Sequence, residues 1–442
     1  MTLQILDYRA LYAAFDRFPA SKGSAHRIRR VAAALFEAAG GGVLFTLGSE
    51  TLPLYQRLAG GSPGAAEGLE RCAGEVEVLR FGGGDPALRR LPNLLDRALA
   101  FGARLSQVMA SQPCLEICQF RDPWSGLPIL TCPRRRGAAV YEVNGLPSIE
   151  LPDAYPRLPG GLRDRLRAAE RFCWSAADWV ITPSRTMRDN LVALGVPAGK
   201  ICVVANGAEP PAGSAAAGDR AARPAGAPAR YLLYFGALQG WQGVEVLLRA
   251  FALLRDLEDL GLVICAAGRT RRARALKRLA ERVAPAGRVR WHYGLSDAEL
   301  APWVAHAELS VAPLTECPRN LEQGCLPLKV LESMAAGVPV VASDLPSLRE
   351  VIDDGSDGRL VRPDRPSELA RALRVLLESP RARHEMAARA RRKAAERYSW
   401  EAGMSELRGW YGALLEGLGG AALAGAGAGA EEWPAAIERR AQ

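Results

Sequence analysis

The chain has 442 residues, of which 49% are hydrophobic and 24% are charged, a balance typical of a soluble globular α/β protein. This length exceeds what one hydrophobic core usually supports, so two domains are expected. The formal net charge of +9 could indicate nucleic acid, an anionic membrane surface or a phosphorylated ligand. Arginine carries nearly all of that charge, because the chain has only five lysines. With no nucleic-acid-binding motif visible, nucleic acid is excluded as a partner.

The nine cysteines and four histidines give no metal or disulfide signature. No Cys-x-x-Cys pair occurs, so neither a zinc site nor a disulfide framework is predicted, and no metal or cofactor is expected. The chain opens without a signal peptide and holds no apolar run of membrane-spanning length. We therefore expect a cytoplasmic protein, and a position at the inner face of the membrane stays open.

The first half of the chain alternates short apolar stretches with amphipathic ones. Strands are predicted where apolar residues cluster, at 4–7, 43–47, 115–120, 138–143, 178–182 and 200–204. Helices are predicted after the glycine turn at 19–24 and at 162–173 and 185–194, whereas 49–104 gives little. This alternation predicts a parallel sheet covered by helices, in an N-terminal domain of residues 1–207.

Residues 208–229 are rich in Pro, Gly and Ala without periodicity, which predicts an interdomain linker. The alternation then restarts and defines a C-terminal domain over 230–397. Its predicted strands share short apolar cores and include 231–235, 262–266, 289–293, 309–312 and 338–343. The helix within 398–418 is expected to pack back on the N-terminal domain, and 419–442 is expected to be a disordered tail.

The stretch Thr315–Glu350 combines a polar glycine-containing loop, a short helix and a buried strand. Pro327 fits the first helical turn and Gly337 supplies a left-handed stop. Free amides and the dipole at such a helix start can hold an anion. Lys329 and Glu332 share one face, where they could hold a phosphate and a sugar hydroxyl of one nucleotide. A surface Lys–Glu pair is the plainer alternative.

Ligands of doubly wound sheets bind at the carboxyl ends of the strands. Gly23 and Ser24 lie in the turn before the first helix and could let the backbone approach a phosphate, although a plain strand–helix connection explains them as well. Glu142 and Asn144 end another predicted strand and are candidates on the same ground, although Asn-Gly also forms ordinary turns.

The run RTRRARALKR at 269–278 is strongly basic. On a helix these side chains would mostly cover one solvated face, which is the plainer interpretation. Contact with a membrane surface is the alternative.

Four segments together resemble one family: ADWVITPS (177–184), ICVVANGAE (201–209), YFGALQGWQGVEVLLRAF (234–251) and PLKVLESMAAGVPVVASDLPSLREVI (327–352). In this order and spacing, the chain resembles the family 4 (group 1) glycosyltransferases from about residue 19 to residue 418. The resemblance implies an α/β GT-B fold, with two Rossmann-like doubly wound parallel-sheet domains facing across a cleft, and a retaining reaction. The chain is most similar to a divergent branch with a P-x-K-x-x-E variant of the acidic motif.

The resemblance implies that a nucleotide diphosphate-sugar lies mostly against the second domain, with Glu332 binding the ribose hydroxyls. Three charged family positions differ in this chain. Gly324 stands where the family has an acid that contacts the sugar. Ala237 and Gln242 stand where the family has the two cations of its phosphate loop.

Other residues are expected to compensate for these losses. Arg319, Lys329 and Arg269 would surround the diphosphate, since guanidinium and ammonium groups both suit phosphate. Gln323 or Asn320 would reach the sugar hydroxyls in place of the missing acid. Lys329, Arg319 and Asn144 are predicted to be catalytic, the two cations by stabilising the leaving diphosphate. The predicted donor contacts lie on loops and strand ends: Gly23, Ser24, Gly236, Gln242, Gly243, Arg269, Tyr293, Gln323, Gly324, Leu328, Lys329 and Glu332.

The predicted function is transfer of a sugar, with retention, from a nucleotide diphosphate-sugar to a glycan or lipid-linked acceptor, in polysaccharide or envelope glycan synthesis. A GT-B protein that binds a nucleotide or glycan without turnover, as a scaffold, is the main alternative. A GT-B epimerase or phosphorylase is less well supported, because the acid–base carboxylates and histidines that an epimerase needs are not evident.

Overall fold

The computed structural model describes residues 8–20, 23–48, 55–58, 75–81, 94–210 and 222–416. The chain divides into two compact units. The first unit comprises the chain up to Pro183, then Arg188–Val204 and the residues from Gly403 onwards. The second unit comprises Ser184–Met187 and Ala205–Ala402.

The first unit is built on an eight-stranded sheet in the order β3-β4-β2-β1-β5-β6-β7-β8. Its strands, in the described ranges, are β1 Ala10–Arg17, β2 Gly41–Leu47, β3 Tyr55–Leu58, β4 Glu75–Phe81, β5 Ile117–Phe120, β6 Ala138–Glu142, β7 Trp179–Thr182 and β8 Ile201–Val203. All neighbouring pairs are parallel except β3 and β4, which are antiparallel. The predicted parallel sheet is therefore confirmed for seven strands and carries an antiparallel edge.

The described helices of the first unit connect and cover these strands. They are α1 Gly23–Ala39, α2 Leu94–Ala110, α3 Pro123–Leu130, α4 Pro147–Ala154, α5 Gly160–Ala176, α6 Arg185–Ala193 and α14 Trp400–Leu415. The first residues of α6 belong to the second unit, and α14 belongs to the first unit from Gly403 on. The hydroxyl of Tyr411 on α14 donates to Gln119 Oε1 over 2.5 Å, and the rings of Trp410 and Trp179 meet edge to face.

The second unit has a six-stranded, all-parallel sheet in the order β11-β10-β9-β12-β13-β14. The strands are β9 Arg230–Gly236, β10 Leu260–Ala266, β11 Val289–Tyr293, β12 Leu309–Ala312, β13 Val340–Ser343 and β14 Arg359–Val361. The helices are α7 Val244–Ala252, α8 Arg271–Val283, α9 Asp297–Ala305, α10 Leu328–Ala335, α11 Pro346–Arg349, α12 Pro366–Leu377 and α13 Pro380–Arg397.

Helices lie on both faces of this sheet, as the alternation along β9 shows. Leu232 and Tyr234 pack in the core layer that includes α7, α8 and α12. Tyr231 and Leu233 pack in the opposite layer, against Trp303 of α9. Because successive strand residues point to opposite faces, both layers need apolar residues, which explains the continuous apolar run of the strand.

Two elements of the first unit were not predicted from the sequence. The segment Ala10–Arg17, which was not predicted, forms β1 at the centre of the sheet, and the strand predicted at 4–7 lies outside the described residues. The segment after β5 begins helix α3, which the sequence did not predict, because Asp122 caps it by accepting from the amide of Ser125. Parts of the predicted linker (211–221) and the whole predicted tail (419–442) also lie outside the described residues.

Candidate active site

A tight loop, Gly236–Gly243, follows β9 at the carboxyl edge of the second sheet. It contains a single 3₁₀ turn, and both end glycines have positive φ angles, 121° at Gly236 and 65° at Gly243. A Cβ on Gly243 would lie 1.7 Å from the carbonyl oxygen of Pro313. Only glycine fits there, so the loop is held against the chain that follows β12.

A buried asparagine fixes this loop from the other side. The Asn320 amide nitrogen donates to the carbonyl oxygens of Trp241, at 3.0 Å, and Thr315, at 2.8 Å. The Thr315 amide also donates to the Trp241 carbonyl. Asn320 is only 2% exposed. The amide nitrogen of Asn320 is thus committed to the backbone, and the predicted contact of Asn320 with a sugar hydroxyl stays a prediction.

Helix α10 presents its N-terminus at the same edge. Ser333 pins the helix to β12, since its hydroxyl contacts both the hydroxyl of Ser310 and the carbonyl oxygen of Lys329, each at 2.7 Å. Pro327 is the N-cap rather than a residue of the first turn, and no side chain caps this helix. Such an N-terminus suits an anion, because its amides and dipole are positive.

Lys329, in the first turn of α10, extends back to the β9 loop. Its Nζ lies 2.6 Å from Gln242 Oε1 and 4.1 Å from the ring centroid of Tyr234. A Cβ on Gly236 would lie 3.4 Å from the Cε and Nζ of Lys329. The structure thus brings together three predicted donor contacts, Lys329, Gln242 and Gly236. The sequence did not predict that the amide of Gln242 would hold the lysine.

The charge of Lys329 is poorly compensated within the protein. The side chain is buried, and no carboxylate in the described part of the chain forms an ion pair with it. Burial, and after it the charge of Arg319, lower the pKa of Lys329 to about 7, against the opposing effect of the Glu332 charge. A buried cation surrounded by an amide oxygen and an aromatic ring is arranged to receive an anion.

The polar loop before α10 contains a turn of π-helix, Arg319–Gln323, which the sequence did not predict. Turns of this kind occur frequently at functional sites. The guanidinium of Arg319 lies 5.4 Å from the ring centroid of Trp241, so this second cation also adjoins the β9 loop. Gln323 is fully buried, and its predicted contact with the donor stays a prediction.

Gly324 ends this turn with φ +61°, a conformation that residues with side chains rarely adopt. A Cβ there would lie 2.5 Å from Cγ2 of Thr186. The Gly324 carbonyl accepts from the hydroxyl of Ser184 at 2.6 Å, and Glu350 accepts from the amide and hydroxyl of Thr186. All of these residues belong to the second unit. A carboxylate side chain at position 324 would therefore strain the backbone and clash with Thr186 in this structure.

Arg269 and Tyr293 form a separate group at the ends of β10 and β11. The guanidinium of Arg269 lies 5.4 Å and the ammonium of Lys277 lies 5.3 Å from the Tyr293 ring centroid, and Trp291 stacks on the same ring. These two predicted contacts therefore lie together, on the far side of β9 from α10.

In the first unit, a fully buried carboxylate organises the carboxyl edge of the sheet. Glu142 accepts from Arg27 Nε at 2.7 Å, the Asn144 amide nitrogen at 2.8 Å and the Tyr12 hydroxyl at 2.6 Å. Burial opposes its charge, but Arg121 and Arg27 outweigh that effect and lower the pKa of Glu142 to about 2. The carboxylate is thus ionised and fully enclosed.

This network also positions the other predicted residues of the first unit. Arg121 donates to the carbonyl oxygen of Ser24 at 3.0 Å, next to Gly23, where α1 begins. The Asn144 amide nitrogen is oriented by Glu142. Sequence reasoning named Glu142 and Asn144 but missed Arg27 and Arg121. Their only sequence signal is that each follows a predicted turn or strand at the same sheet edge.

The two units, each a sheet with helices and a site at its carboxyl edge, define a GT-B protein. Solved structures agree in fold. Sucrose-phosphate synthase from Thermosynechococcus elongatus superposes with a TM-score of 0.72 at 18% identity, over 92% of this chain and 100% of that one. Anabaena Alr3699/HepE, solved with UDP and glucose, superposes with a TM-score of 0.65 at 16% identity, over 90% of this chain and 98% of that one.

Family models match both units. Residues 22–207 match the glycosyl transferase 4-like domain, and residues 229–379 match the glycosyl transferases group 1. The chain therefore carries a glycosyl transferase 4-like domain followed by a glycosyl transferases group 1 domain.

Curated relatives match over part of their length. A D-inositol 3-phosphate glycosyltransferase of Thermobispora bispora is 34% identical over 214 residues, 47% of this chain and 48% of that protein. The MMP alpha-(1->4)-mannosyltransferase of Mycolicibacterium hassiacum is 41% identical over 109 residues, 24% of this chain and 25% of that protein. The chain spans about half the length, or less, of these relatives.

Two further observations concern the described residues alone. No group of three His, Cys, Asp or Glu side chains among them is placed to hold a metal ion. None of the helices found in these ranges is long and apolar enough to cross a membrane.

Proposed function

We propose that the chain transfers a glycosyl unit from a nucleotide diphosphate-sugar to a hydroxyl acceptor, with retention at the anomeric carbon. The observation that carries this proposal is the buried ammonium of Lys329, which adjoins the glycine loop and the α10 N-terminus and lacks a carboxylate ion pair within the described residues. A diphosphate has the charge that this arrangement lacks. The UDP bound to Anabaena HepE, a protein of the same fold, supports a nucleotide donor.

The second unit would bind the donor through groups on either side of β9. Lys329 and Arg319 stabilise the diphosphate, with the backbone of Gly236, Gly243 and Leu328 around it. Glu332 binds the ribose. Arg269 and Tyr293 lie at the neighbouring strand ends, where the rest of the nucleotide would extend.

The transfer step requires positioning and charge stabilisation. The acceptor oxygen bonds to the anomeric carbon on the face from which the diphosphate leaves, and the carbon–phosphate-oxygen bond breaks. The acceptor proton passes to the departing phosphate oxygen. Lys329 and Arg319 stabilise the negative charge that develops there, and the role of Asn144 stays a prediction. No cofactor beyond the donor takes part.

The proposal includes a cytoplasmic reaction in the synthesis of a polysaccharide or envelope glycan, with a glycan or lipid-linked acceptor. The curated relatives act on different acceptors by name, so their acceptors are not transferred to this chain.

The test measures donor hydrolysis and transfer across a panel of nucleotide-sugars for wild type, Lys329→Ala and Glu332→Ala. We expect both variants to lose about 100-fold or more in kcat/KM. Lys393→Ala is the matched control, because Lys393 pairs with Asp353 and Asp357, away from the loop. Unchanged turnover in both variants would contradict the proposed binding of the donor by Lys329 and Glu332.

A second candidate function is binding of a nucleotide without turnover. The blocked position of Gly324 favours it, since no carboxylate can contact the sugar from there. Calorimetric titration with nucleotide diphosphates, paired with the hydrolysis assay, separates the two. Binding without turnover of any donor supports the non-catalytic protein.

A further inference from the structure

Helix α8 carries a straight line of four exposed arginines, Arg271, Arg274, Arg278 and Arg282. Their spacing of three or four residues places them on one face, about 16 Å long at the usual rise per residue. The opposite face holds buried Ala and Leu side chains that pack into the core. We call the four residues the arginine stripe.

The stripe differs from the other cations of the same helix. Arg272 pairs with Glu245 at 3.7 Å, and Lys277 lies over the ring of Tyr293. By contrast, none of the four stripe side chains forms a hydrogen bond or ion pair with any residue in the described ranges. Like charges one turn apart repel each other, and Arg271 opposes the helix dipole. Arg282 in the last turn and Glu281, three residues after Arg278, offset part of this cost, so the stripe contributes little net stability to the helix.

A second helix offers a comparison, because it exposes the same number of arginines but aligns only three of them on one face. Helix α5 also exposes four arginines, Arg163, Arg165, Arg167 and Arg171. Arg163, Arg167 and Arg171 follow one another at intervals of four residues on one face, whereas Arg165 lies on the opposite face. Each line has one exposed acid at its edge, Asp164 on α5 and Glu281 on α8, so the two helices differ in the number of aligned arginines, three against four.

We propose that the arginine stripe docks the protein on an anionic lipid surface. Guanidinium groups in a line match a plane of phosphate head groups, and each adds to the attraction at short range. The stripe contains no apolar side chain, so binding is electrostatic adsorption without insertion, reversible and sensitive to salt. A nucleic acid is less favoured, because no aromatic side chain in the stripe offers a stacking surface for bases. This proposal does not depend on the proposed reaction.

The experiment measures co-sedimentation of the full chain with phosphatidylcholine vesicles that contain increasing fractions of phosphatidylglycerol. The test variant changes Arg271, Arg274, Arg278 and Arg282 to Gln. The control variant changes Arg163, Arg165, Arg167 and Arg171 to Gln. Each removes four exposed arginines and lowers the formal net charge from +9 to +5, so the two differ in the location of the lost charge.

We expect wild-type binding to rise with the phosphatidylglycerol fraction and to fall with salt. The α8 variant should bind at least about 100-fold more weakly, and the α5 variant should stay within about threefold of wild type. If circular dichroism shows that the α8 variant is misfolded, Arg274→Gln/Arg278→Gln replaces it, with a loss of about tenfold or more expected.

Three results would overturn the proposal. The first is absence of wild-type binding to phosphatidylglycerol vesicles. The second is an equal loss in both variants, which would mean that net charge alone attracts the protein. The third is tighter binding to a single-stranded RNA oligomer than to vesicles, lost in the α8 variant, which would assign the stripe to nucleic acid.

Discussion

The two sheet edges differ in how their buried charges are compensated. In the first unit, the guanidiniums of Arg27 and Arg121 surround the buried carboxylate of Glu142, which also accepts three further hydrogen bonds. In the second unit, the buried ammonium of Lys329 contacts an amide oxygen and a ring, with no carboxylate ion pair among the described residues. Charges that are paired inside the protein stabilise its structure, whereas a cation left without an anion is available to a ligand.

The first prediction concerns Glu142, the buried carboxylate that is paired with arginines. Glu142→Gln keeps the shape of the side chain but leaves two buried guanidiniums without their anion. We expect the free energy of unfolding to fall by about 3–5 kcal/mol. Urea denaturation measures it. The control is Glu116→Gln, which breaks the exposed pair with Arg9 and should cost at most about 1 kcal/mol. Similar losses for both would refute the structural role of Glu142.

The second prediction concerns Lys329, the buried cation without an ion pair, and the effect of moving its charge to a neighbouring residue. Lys329→Gln should lower kcat/KM for the preferred donor by about 100-fold or more. Because Nζ of Lys329 lies against Gln242, adding Gln242→Lys returns an ammonium to the same place from the loop. We expect the double variant to recover at least about tenfold in kcat/KM. A double variant no better than Lys329→Gln would show that the location of the charge is not what matters.

The third prediction concerns Gly324, next to the unpaired site. Gly324→Ala introduces both an unfavourable φ and a clash with Thr186, so we expect a loss of about 1–3 kcal/mol in unfolding free energy. The control is Gly355→Ala, at φ +77° with no atom near the added Cβ, which isolates the backbone effect. The clash is disproved when both variants lose equal stability.

Much of the fold followed from the sequence. The strands Val289–Tyr293 and Leu309–Ala312 have the predicted bounds, because each is a compact run between polar segments. Strand β1 was missed, since its alanine-rich sequence lacks both the alternation and the β-branched residues that mark strands. The π-helical turn was missed as well, because no sequence period distinguishes it from a polar loop.

The site was predicted as a set of residues but not as a set of contacts. Lys329, Gln242 and Gly236 were all named, yet their proximity depends on how α10 packs beside β9. The reason for glycine at position 324 is Thr186, which is distant in the chain. Arg27 and Arg121 were missed because an arginine in a buried network looks, in sequence, like any surface arginine.

The most direct test of an unpaired, ligand-receiving lysine is the pH dependence of UDP binding, measured by calorimetry between pH 7 and 9. The pKa of Lys329 is lowered to about 7 in the free protein, and a bound diphosphate favours the protonated form. Binding must therefore take up a proton above pH 7. We predict that the dissociation constant rises by up to about tenfold per pH unit in wild type, and stays nearly constant in Lys329→Arg, whose guanidinium remains charged. A wild-type dissociation constant for UDP that is independent of pH and equal to that of Lys329→Met would contradict a role for Lys329 in receiving the diphosphate.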